Sequence, residues 1–183
     1  LAIIASNFYD NPSSKLKLIG VTGTNGKTTV ASLVYHLFKT AGYKAGLLST
    51  VQILVDTLVY ESTHTTPDSV TINNYLNQMV HHGVEFCFME VSSHGIHQKR
   101  TTALDFSGGV FTNLSHDHLD YHNSFASYRD VKKIFFDFLP NTAFALTNLD
   151  DKNGAIMLQN TKAIKRTYAL KTLADYKAKI IEK

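Results

Sequence analysis

The stretch Gly20-Val21-Thr22-Gly23-Thr24-Asn25-Gly26-Lys27-Thr28-Thr29, "GVTGTNGKTT", lies between the apolar run Leu16–Val21 and "VASLVYHLF" at 30–38. The first flank reads as a strand. The second has the apolar spacing of a helix, so the glycines mark a strand–turn–helix junction. In such a turn the backbone N–H groups point inward and the following helix presents its positive end, a geometry that binds phosphate. Lys27 adds a point charge for the outer phosphates, and the Thr28 hydroxyl can join a Mg²⁺ shell. The strict spacing G-x4-G-K-[ST] is not met, because Val21 stands five residues before Gly26. The shorter form G-x-x-G-K-T is met through Gly23.

Outward from this junction, strand-like and helix-like segments alternate. Strands are expected near 16–22, 44–49, 84–91, 107–112, 143–147 and 164–169. Helices are expected near 27–41, 68–82, 124–139 and 151–159, with a short one near 94–100. "VQILVDTLVYES" at 51–62 alternates apolar and polar residues like a hairpin. This order predicts an α/β domain, a mostly parallel sheet with helices on both faces, of the P-loop nucleotide-binding type. Residues 1–15 read as the end of a preceding segment or linker, and 16–183 as the domain. The last stretch, "TYALKTLADYKAKIIEK", reads as a strand and the start of more sheet, so truncation is expected there.

The 183 residues, 44% hydrophobic and 18% charged, suffice for one globular domain with a buried core. A net charge of +3 suits an anionic small ligand, and no basic stripe points to nucleic acid. The single Cys87 sits in the apolar run "EFCFME", where a buried core thiol is expected. One cysteine allows no intrachain disulfide, which favours a reducing, cytoplasmic setting. No apolar run reaches membrane-spanning length, so no membrane partner is expected.

In open α/β sheets ligands sit beyond the carboxyl ends of the strands. Glu90 interrupts the apolar run of "VEFCFMEVSSHG" just before its strand ends. A carboxylate buried there needs a cation, and Mg²⁺ on nucleotide phosphates is the natural one; an edge position facing water is the plainer reading. "GGVFTNLSHDHLDYH" runs a strand into Asn113 and a loop of three histidines and two aspartates. His116, His118 and His122 could read as zinc ligands or as a solvated loop, but a phosphate loop favours a hard cation. "FALTNLDD" places Asn148, Asp150 and Asp151 at another strand end, to contact nucleotide or to cap the next helix. In "SFASYRDVKKIFFDFL", Phe125, Tyr128, Val131, Phe135, Phe138 and Leu139 form one apolar face. Lys132 lies on that face's flank, and Lys133 is expected toward solvent with Arg129, Asp130 and Asp137. An inward lysine snorkels, pairs with an anion or has a chemical role.

Together "GVTGTNGKTT", "HTTPDS", "EVSSHGI", "TNLSHDHLDYH" and "YRDVKKIFF" resemble the central ATP-binding domain of the Mur ligases. The likeness runs from about Ala5 to Asp151 and is nearest to the tripeptide-synthetase branch, which adds the third amino acid of the peptidoglycan stem peptide. The resemblance implies a cytoplasmic, monomeric ATP-dependent amide ligase acting on UDP-N-acetylmuramoyl-dipeptide and an amino acid, meso-diaminopimelate or L-lysine. It implies that Gly23, Thr24, Asn25, Gly26, Lys27, Thr28 and Thr29 hold ATP, with Asn148 also at the nucleotide. Glu90 and Thr28 would bind a first Mg²⁺. His118 and a carbamylated Lys132, fourteen residues further on, would bind a second. His64, Thr65, Thr66, Ser92, Gln98 and Arg100 would grip the dipeptide substrate; His64 stands where some relatives have asparagine. The family's N-terminal uridine-binding and C-terminal amino-acid domains are absent from these residues, so the piece alone is expected to be inactive. A folylpolyglutamate- or cyanophycin-type amide ligase and a non-enzymatic nucleotide switch are the alternatives.

Overall fold

The computed structural model describes residues 1–115, 121–122 and 124–182. The central strand is β1 (Lys17–Thr22), whose last five residues are all buried. It pairs in parallel on one side with β5 (Phe86–Glu90) and on the other with β6 (Phe106–Phe111). A strand with neighbours on both edges and helices on both faces has no wet side, so its middle, Leu18–Val21, is apolar or glycine. The remaining strands are β2 (Ala45–Leu48), β3 (Gln52–Val55), β4 (Leu58–Glu61), β7 (Phe144–Asn148), β8 (Ile164–Ala169) and β9 (Tyr176–Lys177). The order across the sheet is β4-β3-β2-β5-β1-β6-β7-β8-β9. Pairing is parallel except where β3 joins β2 and β4. The expected hairpin is therefore present, turning through Asp56 in a left-handed conformation, φ 53°.

The helices are α1 (Ala2–Phe8), α2 (Lys27–Thr40), α3 (Ser69–His81), α4 (Ser93–His97), α5 (Phe125–Asp137) and α6 (Gly154–Met157), with a 3₁₀ turn at Pro12–Lys15. The expected strands and long helices fall within a few residues of these bounds; the helix expected at 151–159 is shorter. Residues of β1, β2, β3 and β5 divide between two cores, as a pleat requires. On one face Ile19, Val21, Leu47 and Phe88 meet Ala31 and Tyr35 of α2. On the other Leu18, Cys87 and Met89 join Ile72 and Leu76 of α3 and Phe135 and Phe136 of α5. From β1 the chain moves one way across the sheet through α2. From β5 it moves the other way through α4, α5 and α6. Right-handed crossovers put helices on opposite faces when direction reverses, and the crevice at the reversal lies at the end of β1.

Two glycines decide how closely α5 approaches. A Cβ on Gly20 would lie 2.5 Å from the Phe135 ring, and one on Gly109 would lie 2.8 Å from it. Phe135 thus lies directly on the backbone of β1 and β6. Truncating such a buried ring costs about 3–5 kcal/mol. This contact carries Lys132, three residues earlier, to the loop that follows β1.

Two expectations for α5 fail. Phe138 is not on a buried face; it is 83% exposed, because the helix ends at Asp137 and Phe138 only caps it. Lys133 does not face solvent; it is 9% exposed and its ammonium bonds both Asp137 oxygens at 2.7 Å. A helical wheel assumes one buried side, whereas α5 packs on the sheet and also against α4 and α6. Phe136, off the expected face, is accordingly fully buried.

Candidate nucleotide and magnesium site

Residues 23–26 form the turn between β1 and α2. Gly23 (φ 151°) and Gly26 (φ 83°) both adopt positive φ, which side chains disfavour. At Gly23 a Cβ would also lie 2.0 Å from the Thr112 hydroxyl. The turn is tied to the end of β6. Asn113 O accepts from Thr24 N–H at 2.8 Å, and Asn113 Oδ1 from Asn25 N–H at 3.0 Å. Asn25 O accepts from the Thr112 hydroxyl at 2.7 Å and from Asn113 Nδ2 at 3.0 Å. Among the described residues no side chain caps the N-terminus of α2. Its first-turn N–H groups and the helix dipole are thus available to an anion at Gly26, Lys27, Thr28 and Thr29.

Lys27 and Lys132 converge on this turn. Lys27 Nζ donates to the carbonyls of Gly23 at 3.1 Å and Thr24 at 2.8 Å. Lys132 Nζ, on a residue 1% exposed, donates to the same Gly23 carbonyl at 2.9 Å. Lys132 therefore does not snorkel; it ends inside, on the phosphate loop. Its ammonium also lies 4.7 Å from the centre of the Tyr128 ring.

Glu90 ends β5 beside α2. It is 0% exposed, which removes the water-facing edge reading. Its carboxylate accepts from the Thr28 hydroxyl at 3.0 Å and the Thr50 amide at 2.8 Å. Neither donor carries a charge, so a buried carboxylate remains for a cation to offset. Glu90 and Thr28 oxygens are hard donors that fit Mg²⁺. Among the described residues no group of three or more His, Cys, Asp or Glu could hold a metal. His118 and His116 lie outside the described residues. His122 is buried, its ring 5.2 Å from that of Tyr128 and about as near to those of His94 and His97 (6.0 and 6.1 Å).

The other expected residues line the same rim. Thr65 Oγ1 accepts from the Thr50 hydroxyl at 3.0 Å, next to Glu90. Thr66 is buried; its hydroxyl donates to Glu90 O at 2.8 Å and accepts from Ser92 N–H at 2.9 Å, pinning this loop to the end of β5. Ser92 caps α4 through Gly95 N–H. Arg100 donates to Thr66 O at 2.6 Å and twice to Gln98 Oε1, at 2.9 and 2.6 Å. His64 is exposed beside Thr63. Asn148 donates to Thr112 O at 2.9 Å and so braces the residue that braces the phosphate loop. Asp151 caps the turn before α6 and also accepts from Leu114 N–H. Asp150 instead gathers the amides of Leu170, Lys171 and Thr172. Those N–H groups, Thr172 foremost, hold its carboxyl well below the usual carboxylate range.

Sequence reading missed Thr112 and the hydroxyl of Tyr128. Thr112 carried a weak signal, as the polar residue ending an apolar strand. Tyr128 carried none, because a buried tyrosine looks like any apolar-face residue.

Residues 21–183 match the family described as the Mur ligase middle domain. A UDP-N-acetylmuramoyl-L-alanyl-D-glutamate–2,6-diaminopimelate ligase from Cytophaga hutchinsonii is 58% identical over 181 residues, 99% of this chain and 37% of the relative. One so named from Clostridium acetobutylicum is 42% identical over 178 residues, 97% of this chain and 36% of the relative. The chain thus spans little more than a third of these relatives' length. A solved structure of a ligase of the same name superimposes with a TM-score of 0.79 at 33% identity, over 88% of this chain and 34% of that one. A Mycobacterium tuberculosis folylpolyglutamate synthase complexed with ADP and AMPPCP shares the fold, with a TM-score of 0.71 at 15% identity over 93% of this chain and 48% of that one. With the phosphate turn, the buried Glu90 and the inward Lys132 on one rim, and the family matched across nearly all of its length, the chain belongs to the Mur ligase family.

Proposed function

We propose that the full-length protein is an ATP-dependent amide ligase. It joins 2,6-diaminopimelate to UDP-N-acetylmuramoyl-L-alanyl-D-glutamate in peptidoglycan synthesis, acting as a cytoplasmic monomer. The convergence of Lys27, Thr28, Glu90 and Lys132 on one rim carries this reading, and the relatives' names support the choice of acceptor and substrate. Among the described residues no helix is long and apolar enough to cross a membrane.

The turn at Gly23–Thr29 would cradle the triphosphate, Lys27 leaving its carbonyl partners for the outer phosphates. Glu90 and Thr28 would hold one Mg²⁺, and His118 with a carbamylated Lys132 a second. When bound, these ions lower the repulsion between a carboxylate and the phosphates it attacks. The D-glutamyl carboxylate forms an O–P bond to the γ-phosphorus as the bond to ADP breaks. The acceptor amine then forms the amide, losing a proton, as phosphate leaves. Thr65 and Arg100 would orient the dipeptide, with Thr66, Ser92 and Gln98 holding Arg100 and its loop in place. Asn148 would border the nucleotide, keeping Thr112 against the turn. The 183-residue piece alone would bind nucleotide weakly and not turn over.

The test is phosphate release by the full-length protein with ATP, the UDP-dipeptide and candidate amino acids. Release that depends on 2,6-diaminopimelate and yields the tripeptide supports the ligase. Dependence on L-lysine reassigns the acceptor, and release that needs no acceptor points to a nucleotide switch and refutes the reading.

A further inference from the structure

We propose that Tyr128 is a positioning residue for the phosphate loop, anchoring Thr24 with its hydroxyl while its ring packs beside Lys132 Nζ. The proposal rests on the nucleotide-binding reading of that loop. Tyr128 is fully buried in the first turn of α5, and its hydroxyl lies 3.2 Å from Thr24 Oγ1. Thr24 Oγ1 has two further partners on Ser115. It accepts from Ser115 N–H at 3.0 Å and donates to Ser115 O at 3.3 Å. A threonine hydroxyl has one proton and two lone pairs. With that one proton shared between Ser115 O and Tyr128, Thr24 is tied to the tyrosine whichever hydroxyl donates.

Lys132 stands one helical turn beyond Tyr128, the spacing at which two side chains share a face. Its Nζ lies 4.7 Å from the ring centre and still reaches Gly23 O at 2.9 Å. Two consecutive loop residues are thus held from one helix, Gly23 through Lys132 and Thr24 through Tyr128. The helix is itself seated on β1 and β6 by Phe135. This chain of contacts holds Gly23 at φ 151°. A loop already in its binding shape loses less freedom when it closes on phosphates.

Tyr128→Phe keeps the ring and removes only the hydroxyl. In the full-length protein it should weaken MgADP binding about three- to tenfold, the worth of one hydrogen bond. The KM for ATP should rise in step, with the affinity for the UDP-dipeptide unchanged. Thr24→Val should lose at least as much, and the double variant should bind no worse than Thr24→Val alone. MgADP binding by Tyr128→Phe equal to wild type, or additive losses in the double variant, would overturn the proposal. So would a nucleotide-free melting transition lowered enough to account for the loss, which would make the tyrosine merely structural. A wild-type protein that binds no nucleotide would instead remove the ligase reading, and this inference with it.

Discussion

Replacing Glu90 with glutamine separates the fold from the metal. The carboxylate takes two neutral donors, the Thr50 amide and the Thr28 hydroxyl. In Glu90→Gln the amide oxygen can face Thr50 N–H while the amide nitrogen faces Thr28, whose hydroxyl rotates to accept, so both bonds survive. Each falls from the charged range of about 1.5–3 kcal/mol to the neutral range of about 0.5–1.5. That loss of roughly 2–3 kcal/mol over the two bonds is offset by no longer burying an unpaired charge, which costs several kcal/mol. Metal-free stability should therefore change by less than about 2 kcal/mol. Removing one partner of a buried ion pair costs about 3–5 kcal/mol. The Mg²⁺-dependent part of ATP affinity should thus fall by roughly two to three and a half orders of magnitude, at 1.4 kcal/mol per decade. Calorimetric titration of full-length wild type and variant with ATP, with and without Mg²⁺, reads this directly. The same Mg²⁺-dependent gain in both proteins would refute the placement of the ion at Glu90. So would a variant that is severely unstable without any metal.

Gly23→Ala should unfold the turn's tie to β6, because the new Cβ would lie 2.0 Å from Thr112 Oγ1 at a backbone angle alanine rarely adopts. A melting transition and nucleotide affinity both close to wild type would contradict it. Asp150, held below the usual carboxylate range mainly by Thr172 N–H, should secure 170–172 fully above the ordinary carboxylate pKa near 4. That support is lost as pH falls through its lower folded value. Hydrogen exchange of those amides checks it, and Asp150→Asn should mimic low pH at pH 7; protection indifferent to both would sink the idea. Burial pushes the Cys87 thiol up, so it should resist thiol reagents until the protein unfolds. Its contribution is complete below the ordinary thiol pKa and fades as pH rises above it, and labelling of the native protein at neutral pH would disprove this burial.

The alternation of strands and helices, the hairpin at 52–61, the glycine turn at 23–26 and the odd carboxylate at Glu90 were all legible in the linear order. Each depends on periodicity, glycine chemistry or one residue against its neighbours, which are local properties. What Lys132 reaches, what holds Thr24, and which residues brace others were not. Thr112, Tyr128 and Asn148 act on a turn some 90 to 125 positions away, and that nearness exists only once β6 and β7 pair beside β1. Lys133 and Phe138 were misplaced for the same reason. A wheel gives a helix its faces, but burial depends on how many neighbours surround it and where the helix stops. Those follow from packing across the sheet, where contacts are set by strand order rather than by spacing along the chain.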